Sequence, residues 1–383
     1  MPLRSDYRLQ REGFTSDTLA RLFTSTLFNP LLTLPLALLA RYTYKGQTLS
    51  LEHAKALKWL KVALAIGLYK KVEKVLDWGV LNNWVGDRYV WEEELVVVTG
   101  GSDGIGRIVV GLLAERGIRV AVMDIQPLTF EAPPNVTYFH TDLASPTSIA
   151  AATSAIKSQL GNPTILINNA GIHSGSHPIT TTPPHLLDLN YRINVLSHFH
   201  TLSAFLPSMI AANHGMVLTV ASLAAHASAP LMAAYAGSKA AAMATHEVLH
   251  AELATVHKAP KVRTVLVCPA FMRTKLFQGF DEGDGWVMYA LEPETVAEGI
   301  VKAVLRGRSD VLVMPGAGWA LAVKLRGMPS WWGYGLRKGF VKLMSRFVGR
   351  AVVQGEGKVE EGGESERKGP EESMVVVQNE QAA

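Results

Sequence analysis

The sequence predicts an α/β fold, a doubly wound parallel sheet covered by helices on both faces, and two patterns carry that expectation. From Leu95 onward, apolar runs of four to six residues alternate with longer stretches of helical periodicity. The runs are apolar throughout rather than at alternate positions, as expected of strands buried on both sides of a parallel sheet. A glycine-rich turn, Thr99-Gly-Gly-Ser-Asp-Gly-Ile-Gly106, joins the first run to the first helical stretch. No internal repeat is visible.

The expected strands are Leu95–Thr99, Val120–Met123, Thr164–Ile167, Met216–Val220, Val262–Val267 and Val311–Met314. The expected helices between them are Ile105–Arg116, Pro146–Leu160, Pro184–Ala212, Ala233–His257 and Pro293–Arg306. A chain of 383 residues holds one such domain plus extensions, because single cores rarely grow beyond about 250–300 residues. With 48% apolar and 18% charged residues, a sizeable core is affordable and wholesale disorder is excluded. The net charge of +4 is small and dispersed, so no nucleic-acid partner is expected. The single cysteine, Cys268, rules out an intrachain disulfide framework and, at the end of an apolar run, reads as a buried small residue.

Two extensions flank the domain. Leu22 to Ala40 is a 19-residue stretch without charge, just long enough to span a bilayer. Pro30 and Pro35 are expected to interrupt it, so a kinked, re-entrant or interfacial segment competes with a straight span. A second run, Val62–Tyr69, is too short to cross and reads as an amphipathic helix. Between Asp310 and Glu356 there is no acidic residue, yet Lys324, Arg326, Arg337, Lys338, Lys342, Arg346 and Arg350 supply seven positive charges. Trp319, Trp331, Trp332, Tyr334, Phe340 and Phe347 are interleaved with them, a mixture suited to an anionic membrane interface. Beyond Arg350, eight glutamates and many Gly and Ser residues predict a disordered tail. The expected division is therefore 1–94 membrane-associating, 95–318 catalytic, 319–350 basic and amphipathic, and 351–383 acidic tail.

The glycine turn sits where a strand ends and a helix begins. Gly100, Gly104 and Gly106, with Ser102, Asp103 and Ile105 between them, let a pyrophosphate approach the amide-rich helix N-terminus, as in Rossmann-type dinucleotide sites. Asp124 ends the second strand, eighteen residues after Gly106. An acid there can accept both ribose hydroxyls of NAD and repel the extra phosphate of NADP, so NAD is favoured and NADP stays open. Asp142, followed by Leu143, ends the third strand and can bond the adenine amino group. Asn168-Asn169-Ala170-Gly171 caps the fourth strand and reads as support for the adenosine-ribose side.

Tyr235 and Lys239 lie four apart in an alanine-rich helix, so their side chains share a face. A free tyrosine has a pKa near 10, and lowering it by about three units takes roughly 4 kcal/mol of differential stabilisation of the phenolate. The lysine ammonium and a cofactor's nicotinamide charge are expected to supply that. Ser222, after strand Met216–Val220 and thirteen residues before Tyr235, can hydrogen-bond the reacting oxygen.

These motifs together resemble the short-chain dehydrogenase/reductase family over roughly Leu95 to Gly316. The resemblance implies Tyr235 as acid/base, Lys239 holding the ribose and lowering the tyrosine pKa, and Ser222 orienting the carbonyl or hydroxyl. It implies that Asn194 holds a water in a proton relay, and that Pro269 and Thr274 belong to a nicotinamide-binding loop in which Ala270 replaces the usual glycine. The segment Cys268-Pro-Ala-Phe-Met-Arg-Thr-Lys-Leu-Phe277, the strand-end Asp124 and the two extensions are similar to the membrane-bound branch with retinol and 17β-hydroxysteroid dehydrogenases. The implied reaction interconverts a lipophilic alcohol (retinoid, steroid or long-chain lipid) and its carbonyl at an endoplasmic-reticulum or lipid-droplet membrane, with the catalytic domain cytosolic. Substrate choice is expected from Phe271–Ala290, with Phe271, Met272, Leu276, Phe277, Phe280, Trp286 and Met288, and from Ser174–Thr182. A secondary-metabolite ketoreductase, a surface protein with incidental catalysis, and a homodimer stay open. His246-Glu-Val-Leu-His250 spells a zinc-protease signature, but no third ligand is indicated and no metal is expected.

Overall fold

Seven parallel strands form one sheet in the order β3-β2-β1-β4-β5-β6-β7. They are β1 (Leu95–Thr99), β2 (Arg119–Asp124), β3 (Val136–His140), β4 (Ile165–Asn168), β5 (Met216–Val220), β6 (Arg263–Pro269) and β7 (Asp310–Met314). The computed structural model describes residues 3–5, 8–274, 276, 286, 289–316 and 320–341. The expectations for Phe277, Phe280, Met288, Trp319, Lys342, Arg346, Phe347, Arg350 and the acidic tail lie outside the described residues.

The strands β1, β4, β5 and β6 are buried along their whole length, which is why they read as unbroken apolar runs. β3 is absent from those runs because it is the sheet edge: Thr137 and Tyr138 are half-buried and His140 is exposed. The helices are α5 (Gly104–Ala114), α6 (Pro146–Leu160), α7 (Pro184–Tyr191), α8 (Ser197–Ala212), α9 (Ala233–Thr255) and α10 (Pro293–Leu305). One face of the sheet buries Val96, Val98, Ile167 and Leu218 beneath α5 and α10; the other buries Val97, Leu166 and Val217 against α6, α8 and α9. The expected single helix Pro184–Ala212 is divided by a π-helical turn at Arg192–Leu196, and Asn194 sits in that turn. It is long and apolar enough to cross a membrane, but Leu186, Val195, Phe205 and Met209 are buried in the domain.

Chain order reverses between β1 and β4, where a doubly wound sheet opens a crevice at its strand ends. Thr99 Oγ1 ties the two strands there, accepting the Asn169 and Ala170 amides at 3.0 and 3.1 Å.

Four helices precede the sheet: α1 (Ser16–Ser25), α2 (Pro30–Tyr42), α3 (Tyr44–Glu52) and α4 (Ala54–Leu81). Leu22–Ala40 is broken, with α1 and α2 meeting at 45°. The break falls at Pro30, as expected: it starts α2, where its missing N–H would have no partner, behind the Asn29 cap. Pro35 lies inside α2. The expected short helix Val62–Tyr69 is one part of the 28-residue α4, since the flanking lysines are good helix formers and end nothing. α2 packs on α4 so closely that a side chain at Gly67 would meet the Phe28 carbonyl oxygen at 2.4 Å.

Polar clasps hold both ends of this extension to the sheet. After α4, Asn82 exchanges hydrogen bonds with the Ser309 backbone, and buried Arg263 donates to the Asn82 and Val85 carbonyls. Around the start of α1, Arg11 pairs with Glu298, Glu12 accepts the Glu292 amide, and Asp17 accepts the Gly316 amide.

Candidate active site

The glycine turn closes over the end of β1. A side chain at Gly106 would lie 2.0 Å from the Gly100 oxygen and 2.7 Å from Asn169 Nδ2, so this contact admits only hydrogen. Gly104 has φ +58° and open space on the side where a Cβ would stand, a cradle at the N-terminus of α5. Asp103 caps that helix by accepting the Gly104 amide. Ile105 is half-buried against the core. Ser102 is fully buried and its hydroxyl donates to the Gln126 carbonyl at 2.8 Å, so it shapes the loop and its hydroxyl is already engaged.

Asp124 stands beside this turn at the end of β2, accepting the Ser102 amide at 2.9 Å and the Gln126 amide at 3.1 Å. Asp142 accepts the Ala144 amide, and Leu143 is buried beside it. Asn169 donates to the Thr99 and Gly100 carbonyls, which makes the Asn168–Gly171 segment a brace for the glycine turn.

The four expected catalytic residues converge at the same strand ends. Tyr235 and Lys239 lie one turn apart on α9, with Nζ 6.0 Å from the phenol ring centre and 4% and 3% of their surfaces exposed. Lys239 Nζ donates to the Val220 carbonyl at 2.9 Å, and Ser222, next along from β5, hydrogen-bonds Tyr235. Burial pushes the Tyr235 phenol up to about 12, against the lowering effect of that bond, and pushes the Lys239 ammonium down to about 8. The expected lysine-driven lowering of the tyrosine is therefore not a property of these side chains alone, because desolvation disfavours both charged forms. Asn194 accepts the Ile172 amide at 2.9 Å and donates to the Ile172 carbonyl and to Ser238. Its side chain is thus engaged in holding the chain after Gly171.

Pro269 ends β6, and Ala270 continues by donating its amide to the Met314 carbonyl at 2.7 Å. The Thr274 hydroxyl is buried without a hydrogen-bond partner among the described residues. A buried orphan of this kind calls for a ligand group, and a carboxamide suits it. The open Gly104 cradle, the orphan Thr274 hydroxyl and the acid at Asp124 together fit a nicotinamide dinucleotide.

Over Ser222 and Tyr235 lies a small, partly open pocket of ≈ 30 Å³, room for about two waters. Apart from those two residues, the described residues of its walls are apolar, including Leu223, Ala227, Met232, Ala270, Phe271 and Phe340. Phe340 follows α12 (Ser330–Gly339), which is preceded by the short α11 (Ala320–Val323). Sequence reasoning placed Phe340 only at a membrane surface; the inward packing of Leu336 and Phe340 onto Leu223 and Ala270 has no local signal. It also missed the stacking of His173 on Tyr235. His246 and His250 bond separately to Thr219 and Thr264 at 3.0 and 2.8 Å, so the zinc-like string points at the sheet.

Comparison with known proteins identifies the family. Residues 94–285, half of the chain, match the short chain dehydrogenase family. Dehydrogenase RED2 of Cochliobolus heterostrophus is 40% identical over 53% of this chain and 77% of its own. Estradiol 17-beta-dehydrogenase 11 of Rattus norvegicus is 34% identical over 62% and 80%, and human epidermal retinol dehydrogenase 2 is 31% identical over 58% and 74%. Among solved structures, a short chain dehydrogenase from Burkholderia cenocepacia in complex with NADP is 25% identical with a TM-score of 0.54, covering 64% of this chain and 98% of that one. The chain belongs to the short-chain dehydrogenase/reductase family, in its retinol and 17β-hydroxysteroid dehydrogenase branch, and is an NAD(P)-dependent alcohol dehydrogenase or ketone reductase.

Proposed function

We propose that this enzyme interconverts a lipophilic alcohol and its carbonyl at a membrane surface, using NAD in preference to NADP, with Tyr235 as the acid/base. The observation that carries the substrate class is the pocket over Tyr235, whose polar groups among the described residues belong to the reacting centre itself. An apolar wall recovers roughly 25 cal/mol for each Å² of apolar substrate surface it buries and offers nothing to a polar one.

In oxidation, Ser222 and the phenolate form of Tyr235 hold the substrate hydroxyl between them, and the proton passes from that hydroxyl to the phenolate oxygen, leaving the neutral phenol. Bound nicotinamide supplies the hydride acceptor and a positive charge beside the phenol. Lys239, fixed by the Val220 carbonyl, offers an ammonium to a ribose at the same depth. The Thr274 hydroxyl is matched to the carboxamide, the α5 N-terminus to the pyrophosphate, and Asp124 to the ribose hydroxyls.

The extension supports a membrane location. Leu31, Leu36 and Leu39 of α2 are 72%, 54% and 55% exposed, with Leu32, Leu34 and Leu38 beside them, an apolar surface that water would not favour. Trp331 and Tyr334 are likewise exposed on α12, next to Arg337 and Lys338. Leu196, Phe199, Val248 and Val256 are exposed along α8 and the C-terminal part of α9, a surface on which a second copy could pack.

The test is turnover of a graded alcohol panel, from short aliphatic to retinoid, sterol and long-chain, by protein purified in detergent with either cofactor. Lipophilic alcohols are expected to be preferred, and Tyr235→Phe to lose about 10²-fold or more of the turnover while retaining cofactor binding. Preference for short polar alcohols would refute the substrate class, and near-normal turnover by Tyr235→Phe would refute the acid/base assignment.

A further inference from the structure

Three consecutive residues after the fourth strand each touch a different member of the catalytic group. Gly171 packs on Lys239, so closely that a side chain there would stand 2.9 Å from Nζ. Ile172 bonds Asn194 through both its amide and its carbonyl, at 2.9 and 3.0 Å. His173 lays its imidazole on the Tyr235 phenol, with ring centres 4.4 Å apart and the planes inclined by 30°. The tripeptide leaves β4 and meets α9 and the π-turn in one pass, so it carries the geometry of the sheet directly to the reacting groups.

We propose that His173 is a positioning residue, its ring holding the Tyr235 phenol in the orientation that faces Ser222 and the substrate oxygen. The proposal rests on the reading of Tyr235 as the residue that exchanges the proton. Phenol rings rotate about two side-chain bonds, and a flat partner stacked on one face removes one of those freedoms. Stacked aromatic pairs contribute about 0.5–1.5 kcal/mol beyond their burial. The His173 ring is itself held: it is 1% exposed, and its Nδ1 accepts the Gly175 amide at 3.2 Å. That bond puts the ring proton on Nε2. Burial, with His177 adding to it, pushes the imidazole down to about 3, so the ring is neutral over the working range and does not compete for the proton. The role is that of a planar surface, which phenylalanine can supply and leucine cannot.

Two variants isolate the ring. His173→Phe and His173→Leu both fill the site and both lose the bond from Gly175, so the flat face is the main difference between them. The expected result is a kcat for His173→Phe about fivefold to tenfold above that of His173→Leu, with KM for NAD alike in the two and the acid limb of the kcat–pH profile where it lies in the wild type. Tryptophan fluorescence quenching by NADH on the same samples checks that both proteins are folded and bind cofactor; if His173→Leu does not fold, His173→Met takes its place. Equal kcat values in the two variants would overturn the proposal, as would a loss confined to KM for NAD. A shifted acid limb in His173→Phe would overturn it by making the imidazole a proton-transfer group. Full turnover by Tyr235→Phe is a separate result, and it would strike the reading of Tyr235 instead.

Discussion

Removing the charge of Asp124 while keeping its shape should shift cofactor choice toward NADP. The carboxylate accepts the Ser102 amide at 2.9 Å and the Gln126 amide at 3.1 Å, so it also shapes the turn that receives the cofactor. Asp124→Ala leaves both donors without a partner, at about 1–3 kcal/mol each, and harms both cofactors. Asp124→Asn keeps one acceptor and confines most of the change to charge. Two unit charges about 4 Å apart repel by about 1 kcal/mol in water and about 4 kcal/mol at an effective dielectric of 20. A 2′-phosphate carries nearly two charges, so the weak limit is about 2 kcal/mol, or roughly 30-fold in the NADP-to-NAD ratio of kcat/KM. The assay is the pair of kcat/KM values for one alcohol in wild type and variant; damage to the turn lowers both and cancels in the ratio. A wild-type preference for NADP, or a ratio that moves less than about threefold in Asp124→Asn, would refute the assignment.

Three further expectations follow from the same geometry. Because burial raises the Tyr235 phenol to about 12 and lowers the Lys239 ammonium to about 8, the neutral phenol dominates at pH 7, and alcohol oxidation should rise as pH increases from 6 to 9 while carbonyl reduction is favoured at the lower end; a flat oxidation profile would contradict this. Phe340→Ala should lower KM for the bulkiest alcohols by about tenfold and leave short ones unchanged, since the pocket of ≈ 30 Å³ is far below the roughly 300 Å³ of ordinary ligand sites; equal effects on all chain lengths would remove Phe340 from the pocket wall. Replacing Leu31, Leu36 and Leu39 by Gln should move the protein from the membrane to the soluble fraction in high salt with its turnover retained. Deleting the N-terminus is the poorer test, since it also removes the Arg11, Glu12 and Asp17 contacts with the catalytic domain.

The sheet was legible in the sequence because its strands are buried on both faces, which forces unbroken apolar runs. The edge strand β3 escaped because, at the sheet edge, only Val136 and Phe139 of its five residues are buried, and so short and broken an apolar pattern is faint. The positions of Tyr235, Lys239, Ser222 and the glycine turn were legible for a local reason: one helical turn or one tight loop sets their spacing. Asn194 was legible as a residue, while the π-turn that carries it depends on bonds to Ile172, 22 residues earlier. Only the tertiary structure set His173 against Tyr235 and Phe340 over the pocket, because both contacts join segments separated by long stretches of chain. The tyrosine's ionisation divides in the same way: sequence places an ammonium near a phenol, but burial, a property of the whole packed core, keeps the phenol neutral at pH 7 and loosens the ammonium's hold on its proton.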